Sequence, residues 1–350
     1  MQTSFLGDVV LTTPLLAELA ARGPVDVVVT PAAAPLLATH PDVRTVFTYD
    51  KKGHPFAPAT LWRLARSIRL AQARAGDPGS PIAYLAQGSV RSALLALLVG
   101  CHERIGFATS GGRYLYTRRV PYRENAHHAA RLLSLAEAPR STGSADELSA
   151  SSSGPRVLLY PAPSDVAAVD ALLGRAGAAG SPLIAIAPGS VWGTKRWPHY
   201  PALAAALARD GRIVLVGSAA DTEIARQVAA AVGAGRAIDA TGQLTLLGSA
   251  ELIRRAAVLI TNDSAPQHLA SAMGTPTVTL FGPTVPGFGF GPLAPRHAIA
   301  EVTNLPCRPC DRHGPRRCPL GHWRCMRDLS VEHVAALVRQ VTAPTVSVPL

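Results

Sequence analysis

The sequence predicts an α/β protein built from two doubly wound domains, each with a parallel sheet. Short strand-like runs alternate with Ala- and Leu-rich helical patterns along the chain, and strand–helix–strand repetition is typical of parallel sheets covered by helices. The strand-like runs are continuously apolar, which indicates strands buried on both faces. The length of 350 residues, with 48% hydrophobic residues, suits two domains with sizeable cores.

The predicted elements form two series, one before about residue 130 and one after about residue 180. Strands are predicted at 25–30, 43–49, 81–87, 183–189, 212–218, 257–263 and 276–282. Helices are predicted at 57–74, 89–99, 163–177, 199–209, 221–232, 247–256, 265–273 and 331–341.

The domain boundary is expected near residue 165. Residues 138–155 are rich in Ser, Gly and Pro and poor in large apolar side chains, which predicts a flexible connection. The first domain is therefore assigned to 1–165 and the second to 166–350. The second includes a Cys-rich segment and the closing helix at 331–341. In doubly wound domains, ligands bind beyond the carboxyl ends of the strands, so the sites are expected there.

The charge balance favours anionic ligands. Lys and Arg number 34 against 23 Asp and Glu, a formal net charge of +11. The arginines are scattered and aromatic residues make up only 5%, so binding of nucleic acid is not expected. No uninterrupted apolar stretch is long enough for a transmembrane helix, and the start does not read as a signal peptide. We therefore expect a cytoplasmic protein, with peripheral contact at the inner face of a membrane as a compatible arrangement.

Asp8 is the one charged residue in the apolar and hydroxylated run "TSFLGDVVLTTPLL". Such an acid is either a helix cap or a working group. A capping box that begins at Asp8 would need Glu or Gln at position 11, where the chain has Leu11, so the cap interpretation is weakened. Only Met1–Ser4 precede the turn at Gly7, and the strand that leads into Asp8 is expected to be short.

The loop "APGSVWGTKRWP" at 187–198 follows a predicted strand and suits an anion. It is not a Walker loop, because only three residues separate Gly189 from Gly193 and no hydroxyl follows Lys195. Small residues nevertheless let the backbone approach a phosphate, and Lys195 can supply the positive charge. The alternative is a surface turn with a solvated lysine.

The segment "TNDSAPQHLASAMG" at 261–274 predicts a strand that runs into a helix. Ser264 and Gln267 have the spacing of a capping box, and the start of a helix is a natural seat for pyrophosphate. His268 lies one turn into the helix and could reach the same ligand, and Asp263 at the strand end suits a sugar hydroxyl. The alternative is simple capping with a packed histidine.

A second turn of the same kind lies at 215–223. There Gly217 permits close approach of the backbone, and Asp221 or Glu223 could bind a ribose hydroxyl.

Four of the five cysteines fall within residues 307–325. A Cys-x-x-Cys pair with two later cysteines could hold a structural zinc ion, with His313 or His322 as further donors. The wider spacing of the later pair weakens that interpretation, and reduced packing thiols or a labile disulfide remain alternatives. The four cysteines are Cys307, Cys310, Cys318 and Cys325.

Three blocks of the sequence together resemble one family. "SFLGDVVLTTP", "PGSVWGTKRWP" and "TNDSAPQHLASAMGTPTVTLFGPT", followed by the Cys-rich segment, are similar in sequence and order to glycosyltransferase family 9. These are the ADP-heptose:lipopolysaccharide heptosyltransferases, and the enzymes of the second inner-core heptose transfer are the most similar. The resemblance spans nearly the whole chain.

The resemblance implies a GT-B fold, in which two Rossmann-like domains face each other across a cleft. The N-terminal domain would take the anionic glycolipid acceptor and the C-terminal domain would take ADP-heptose. No metal or other cofactor is implied for the inverting transfer. Two alternatives stay open: a family member that uses another nucleotide sugar or acceptor, and a non-catalytic two-domain protein that binds nucleotide sugars.

The resemblance also implies roles for particular residues. Asp8 matches the general base, and Lys195 matches the lysine that pairs with the donor phosphates. Lys51 and Lys52 are expected to contact the anionic acceptor. The remaining donor-binding positions are Ser190, Val191 and Thr194 in the loop after the strand, and Asp263, Ser264, Ala265 and His268 at the start of the later helix.

Overall fold

The computed structural model describes residues 1–50, 58–76, 79–137, 154–178, 180–233 and 235–343. Its contacts divide the chain into two compact units, Met1–Val157 and Leu158–Leu350. The boundary at residue 165 stays a prediction. Lys51 and Lys52 lie outside the described residues, as does all of the predicted flexible connection except positions 154 and 155.

The first unit contains two small groups of parallel strands. One pairs β1 with β2, and the other has the order β3-β4-β5. The strands are β1 (Asp26–Val29), β2 (Thr45–Thr48), β3 (Ile82–Leu85), β4 (Glu103–Phe107) and β5 (Arg118–Val120). The helices are α1 (Leu6–Leu11), α2 (Thr13–Ala20), α3 (Pro58–Ala75), α4 (Val90–Val99) and α5 (His128–Leu133).

The residues before α1 lie between β1 and β3. The Gln2 N–H donates to the Val28 carbonyl at 2.9 Å, and the Gln87 N–H donates to the Met1 carbonyl at 3.2 Å. The expected short strand is therefore reduced to an isolated parallel bridge at Gln2. Hydrogen bonds on both sides still fix the point from which α1 begins.

The second unit has one six-stranded parallel sheet in the order β11-β10-β9-β6-β7-β8. The strands are β6 (Leu183–Ala187), β7 (Arg212–Leu215), β8 (Ala237–Asp239), β9 (Val258–Asn262), β10 (Thr277–Phe281) and β11 (His297–Glu301). The helices are α6 (Pro163–Arg175), α7 (Tyr200–Leu207), α8 (Thr222–Val232), α9 (Leu246–Arg254), α10 (Ala265–Met273), α11 (Arg324–Arg327) and α12 (Val331–Thr342).

Strand β6 is the point at which the winding of this sheet reverses. From β6 the chain adds β7 and β8 on one side, then crosses to β9 and continues to β10 and β11 on the other. Every residue of β6, β9 and β10 is buried, as expected for central parallel strands. The carboxyl ends of β6 and β9 therefore form the crevice in which ligands of such sheets bind.

The core of the second unit is apolar and includes two large aromatic residues close to that crevice. Trp197 and Tyr200 are fully buried and pack edge to face. The Trp197 indole N–H donates to the Leu329 carbonyl at 3.0 Å, which satisfies its only polar atom. The start of α7 is thereby fixed beneath the loop that follows β6.

All the predicted strands and helices are present, with ends that shift by no more than a few residues. The strands that sequence reasoning missed are β4, β5, β8 and β11, which are short or partly exposed. Their charged residues, such as Arg118 and Arg119 in β5, break the continuous apolar run on which the prediction relied. Of the helices in the described ranges, none is both long and apolar enough to cross a membrane.

Candidate functional site

A buried ion pair lies at the carboxyl ends of β6 and β9. The Lys195 Nζ is 2.6 Å from Oδ2 of Asp263 and 3.1 Å from the Asp263 carbonyl oxygen. The two side chains are only 9% and 11% exposed. A short 3₁₀ turn, Gly193–Lys195, brings the lysine back towards the end of β9. Two groups that are distant in sequence are thus joined at the switch point.

The Asp263 carboxylate has two further donors. Thr284 Oγ1, after β10, donates to Oδ2 at 2.7 Å, and Gln267 Nε2, on α10, donates to Oδ1 at 3.0 Å. These bonds offset the cost of burying the charge. An ammonium group has three donors, and Lys195 directs two hydrogen bonds at Asp263, so one donor remains for a ligand.

Asn262, the last residue of β9, holds the loop after β6. Its Nδ2 donates to the Pro188 carbonyl at 3.0 Å and to the Gly189 carbonyl at 3.2 Å. Its Oδ1 accepts from the Tyr200 hydroxyl at 3.1 Å, and burial raises the Tyr200 pKa well above its usual value. Sequence reasoning missed Asn262 and Tyr200, although Asn262 stands directly before the singled-out Asp263.

The loop itself presents both buried and exposed residues. The Ser190 Oγ accepts from the Trp192 N–H at 3.2 Å, and the Ser190 carbonyl accepts from Arg196 Nε at 2.8 Å. Thr194 is buried, and its hydroxyl donates to the Pro315 carbonyl. Val191 is 80% exposed, whereas the other predicted donor-binding positions of this loop, Ser190, Thr194 and Lys195, are buried.

The predicted capping box at the start of α10 is wrong. Ser264 is the N-cap in extended conformation, yet its side chain accepts no cap hydrogen bond. The Gln267 side chain is fully buried and donates to Asp263 and to the Phe290 carbonyl, so it is not available to the helix start. The first turn of α10, which begins at Ala265, therefore has no side-chain cap.

His268 is packed within α10. It is 5% exposed, and its Nε2 lies 3.4 Å from Gln267 Nε2. The buried Gln267 thus links this histidine to the Asp263 carboxylate. The predicted contact of His268 with a donor substrate stays a prediction.

Asp221 folds back on its own turn. Its Oδ2 accepts from the Ser218 N–H at 2.9 Å and from the Ser218 hydroxyl at 2.8 Å. The carboxylate lies against Gly189 and Gly217, and a Cβ at Gly217 would be 3.0 Å from it. Both glycines therefore make room for Asp221. Ribose binding by Asp221 stays a prediction.

In the first unit, Asp8 lies at the third position of α1. Its Oδ2 accepts from the Phe5 N–H at 3.2 Å, and its Oδ1 lies 3.8 Å from Nε2 of His128, the first residue of α5. Asp8 therefore caps α1 from the third position of the helix. The spacing between Asp8 and Leu11 applies only to a helix that begins after Asp8, so it did not predict this cap. Both side chains remain partly exposed, at 17% and 12%. Sequence reasoning missed His128.

The Cys-rich segment packs against the loop that follows β6. Trp192 stacks on His313 with ring centroids 6.2 Å apart, and the Cys310 N–H donates to the Pro283 carbonyl at 2.8 Å. Gly314 (φ +82°) lies so close to Thr194 that a Cβ there would be 3.3 Å from its hydroxyl.

The cysteines of this segment are free thiols. Cys307 Sγ lies 3.8 Å from His322 Nε2, and burial raises the pKa of Cys325 to about 11. Within the described ranges, His, Cys, Asp and Glu side chains form no group of three or more that could hold a metal ion.

Comparison with known proteins decides the family. The sequence profile of glycosyltransferase family 9 (heptosyltransferase) matches residues 77–322. The chain belongs to glycosyltransferase family 9. Two relatives support this: lipopolysaccharide heptosyltransferase 1 of Pseudomonas aeruginosa is 28% identical over 97% of this chain and 93% of its own length. Lipooligosaccharide heptosyltransferase 2 of Haemophilus influenzae is 26% identical over 81% of this chain and 83% of its own length.

Solved structures of family 9 glycosyltransferases have the same fold. The enzyme from Veillonella parvula superposes with a TM-score of 0.79 at 21% identity, covering 98% of this chain and 95% of its own. ADP-heptose lipopolysaccharide heptosyltransferase II of Escherichia coli superposes with a TM-score of 0.74 at 23% identity, covering 97% of both chains. The predicted fold class, GT-B with two Rossmann-like units, is confirmed, and so is the prediction of a glycosyltransferase.

Proposed function

We propose that this family 9 glycosyltransferase moves heptose from ADP-heptose to an inner-core lipopolysaccharide acceptor, with inversion at the anomeric carbon. The relatives named above are lipopolysaccharide or lipooligosaccharide heptosyltransferases. A further structural neighbour from Escherichia coli was solved with ADP-2-deoxy-2-fluoro heptose. We further propose that the first unit takes the acceptor, with contributions from Lys51 and Lys52, and that the second takes the donor.

The observation that carries the donor half of this proposal is the Lys195–Asp263 pair. It lies at the sheet's switch point, where nucleotide ligands of such folds bind. One of the three Lys195 donors has no partner among the described residues and can meet a phosphate. The uncapped start of α10 adds backbone N–H groups and the positive end of a helix dipole. These groups would stabilise the charge that grows on ADP as the glycosidic bond breaks.

The acceptor half rests on Asp8. A carboxylate with partial exposure can accept the proton of the acceptor hydroxyl as that oxygen attacks the anomeric carbon. The new glycosidic bond forms while the bond to the ADP oxygen breaks, and ADP leaves with the electron pair. His128, 3.8 Å away, is close enough to orient this carboxylate.

Where the enzyme works follows from the acceptor. A lipid-linked sugar acceptor would be met at the inner face of the membrane, so we propose a cytoplasmic protein with peripheral membrane contact. The net charge of +11 suits such an anionic surface.

A panel of nucleotide sugars tests the proposal directly. The full chain is incubated with ADP-heptose, other ADP-sugars and UDP-sugars, with and without inner-core acceptors, and both transfer and nucleotide release are measured. We expect acceptor-dependent release of ADP from ADP-heptose alone. Turnover with another nucleotide sugar, or with a different acceptor, would indicate another specificity within the family. Binding without any turnover would refute the enzymatic proposal.

A further inference from the structure

Helix α3 carries an exposed basic face that the proposed chemistry does not use. The helix spans 18 residues, Pro58–Ala75, which corresponds to a length of about 27 Å. Its four arginines, at positions 63, 66, 69 and 74, are all exposed, and the helix contains no Asp or Glu. A row of positive charge therefore runs along most of its length.

Two large apolar side chains lie among these arginines. Trp62 is 52% exposed and Leu70 is 44% exposed. At helical spacing Trp62 neighbours Arg66, and Leu70 lies between Arg66 and Arg74. The face thus combines guanidinium groups with an indole and an isobutyl group, so it can contact charged and apolar groups of one partner at the same time.

The opposite side of α3 fixes the direction of this face. Ala65 and Ile68 are buried in the core of the first unit, and Leu61 and Leu64 pack against the same core. These four residues already fill the side of α3 that faces the core. Trp62 and Leu70 therefore lie outside the core. The basic face stays directed outwards.

The arginines of α3 have no ion-pair partner among the described residues. Within the described ranges, the Arg63 side chain donates only to a carbonyl of its own helix, that of Ala59, at 3.3 Å. Helix α8 offers a contrast, because its exposed Arg226 pairs with Glu223. The charge on α3 is therefore available to an external partner.

We infer that the exposed face of α3 docks the protein on an anionic lipid bilayer, with the helix lying parallel to the membrane surface. Guanidinium groups bind phosphate oxygens in bidentate fashion, and Trp side chains favour the boundary between headgroups and acyl chains. The phosphates of a nucleic acid would also bind the arginines, but a nucleic acid has no acyl chains for the exposed Leu70 to contact. The identity of the membrane rests on the proposed function, whereas the geometry of the face does not.

Co-sedimentation with vesicles tests this inference. The full chain is mixed with vesicles of phosphatidylcholine alone, or of phosphatidylcholine with the anionic lipid phosphatidylglycerol, at low and high salt. The triple variant Arg63→Gln, Arg66→Gln, Arg69→Gln is compared with a control that removes the same charge elsewhere: Arg226→Gln, Arg236→Gln, Arg339→Gln. All six positions are exposed, so both variants should fold, which circular dichroism verifies.

We expect the native chain to bind only the anionic vesicles, and less at high salt. Near an anionic surface each arginine contributes about fivefold in affinity, so the α3 variant should bind about a hundredfold more weakly, while the control loses little. Trp62→Ser should also weaken binding without changing the charge. Equal loss in both triple variants, or no binding by the native chain, would overturn the inference.

Two further measurements separate this inference from its alternatives. Tighter binding to an RNA or DNA oligonucleotide than to vesicles at the same salt would overturn it in favour of nucleic acid. Transfer to a water-soluble acceptor without acyl chains should be unaffected by the α3 substitutions. A chain that transfers no heptose but binds vesicles through α3 would refute only the proposed function. A chain that transfers heptose but ignores vesicles would refute only the docking of α3.

Discussion

Two carboxylates with proposed roles, Asp263 in the second unit and Asp8 in the first, differ in how they are held. Asp263 is almost buried and accepts hydrogen bonds from Lys195, Thr284 and Gln267. Asp8 is more exposed, accepts from the Phe5 N–H at 3.2 Å, and has His128 at 3.8 Å. Asp263 holds Lys195, the proposed cation for the donor phosphates, and a cation that binds phosphates gains from a rigid setting. A proton acceptor needs room for the substrate hydroxyl that it must reach.

The largest expected effect is that of Asp8→Asn. The amide keeps the size and one acceptor oxygen of the carboxylate but cannot take the acceptor proton, so kcat should fall by about a thousandfold. Binding of ADP to the second unit, measured by calorimetry, should not change. Glu124→Gln, at an exposed position in the same unit, is the matched control. Near-native turnover in Asp8→Asn would remove the assignment of Asp8 as general base.

Lys195→Met disrupts the setting of the more rigidly held carboxylate, Asp263. It removes the proposed cation for the donor phosphates and leaves the buried Asp263 without its charge partner. We expect the free energy of unfolding to fall by about 3 kcal/mol, and donor affinity to fall by about a hundredfold. Denaturant unfolding and calorimetric ADP titration measure the two effects.

A double variant separates these two effects of Lys195. Lys195→Met combined with Asp263→Asn removes the buried charge altogether, so much of the lost stability should return while donor binding stays weak. Recovery of donor binding together with stability would show that Lys195 acts only on folding.

The Lys195–Asp263 pair was more predictable from the sequence than the surroundings of Asp8. Lys195 and Asp263 each follow a continuous apolar run, and the ends of parallel strands meet at one edge of a sheet. What failed was local: the Ser264 spacing predicted a cap, but tertiary burial directs Gln267 to Asp263. The contact of Asp8 with His128 joins residues 120 positions apart, and no local pattern encodes such a contact.

Asn262 tests whether the rigidity comes from β9. Asn262→Leu removes the donor to the Pro188 and Gly189 carbonyls and the acceptor for the Tyr200 hydroxyl. Buried polar groups left unpaired should cost about 2–3 kcal/mol of unfolding free energy, measured in urea. Tyr200→Phe, which removes a single bond, should cost about 1 kcal/mol. Equal costs would mean that Asn262 does not hold the loop after β6.

The smallest expected effect tests whether such bonding matters for a carboxylate far from the site. Glu251 on α9 is buried, and hydrogen bonds from Arg254, with further ones from Arg255, hold its pKa below the usual value of 4.5. Its contribution to stability is therefore complete above pH 4.5 and is lost as the pH falls through the lower native pKa.

Glu251→Gln should lower the free energy of unfolding by about 1 kcal/mol at pH 7, because the arginines are partly exposed and the bonds are screened. The difference from the native chain should shrink as the pH falls below 4.5. The exposed Glu332 on α12 provides the control, and Glu332→Gln should have little effect at either pH. A Glu251→Gln deficit that stayed constant down to pH 3 would indicate lost packing instead of lost charge. In that case the hydrogen bonds of a buried carboxylate, at Asp263 as well as at Glu251, would fix the position of the side chain and add little to the free energy of unfolding.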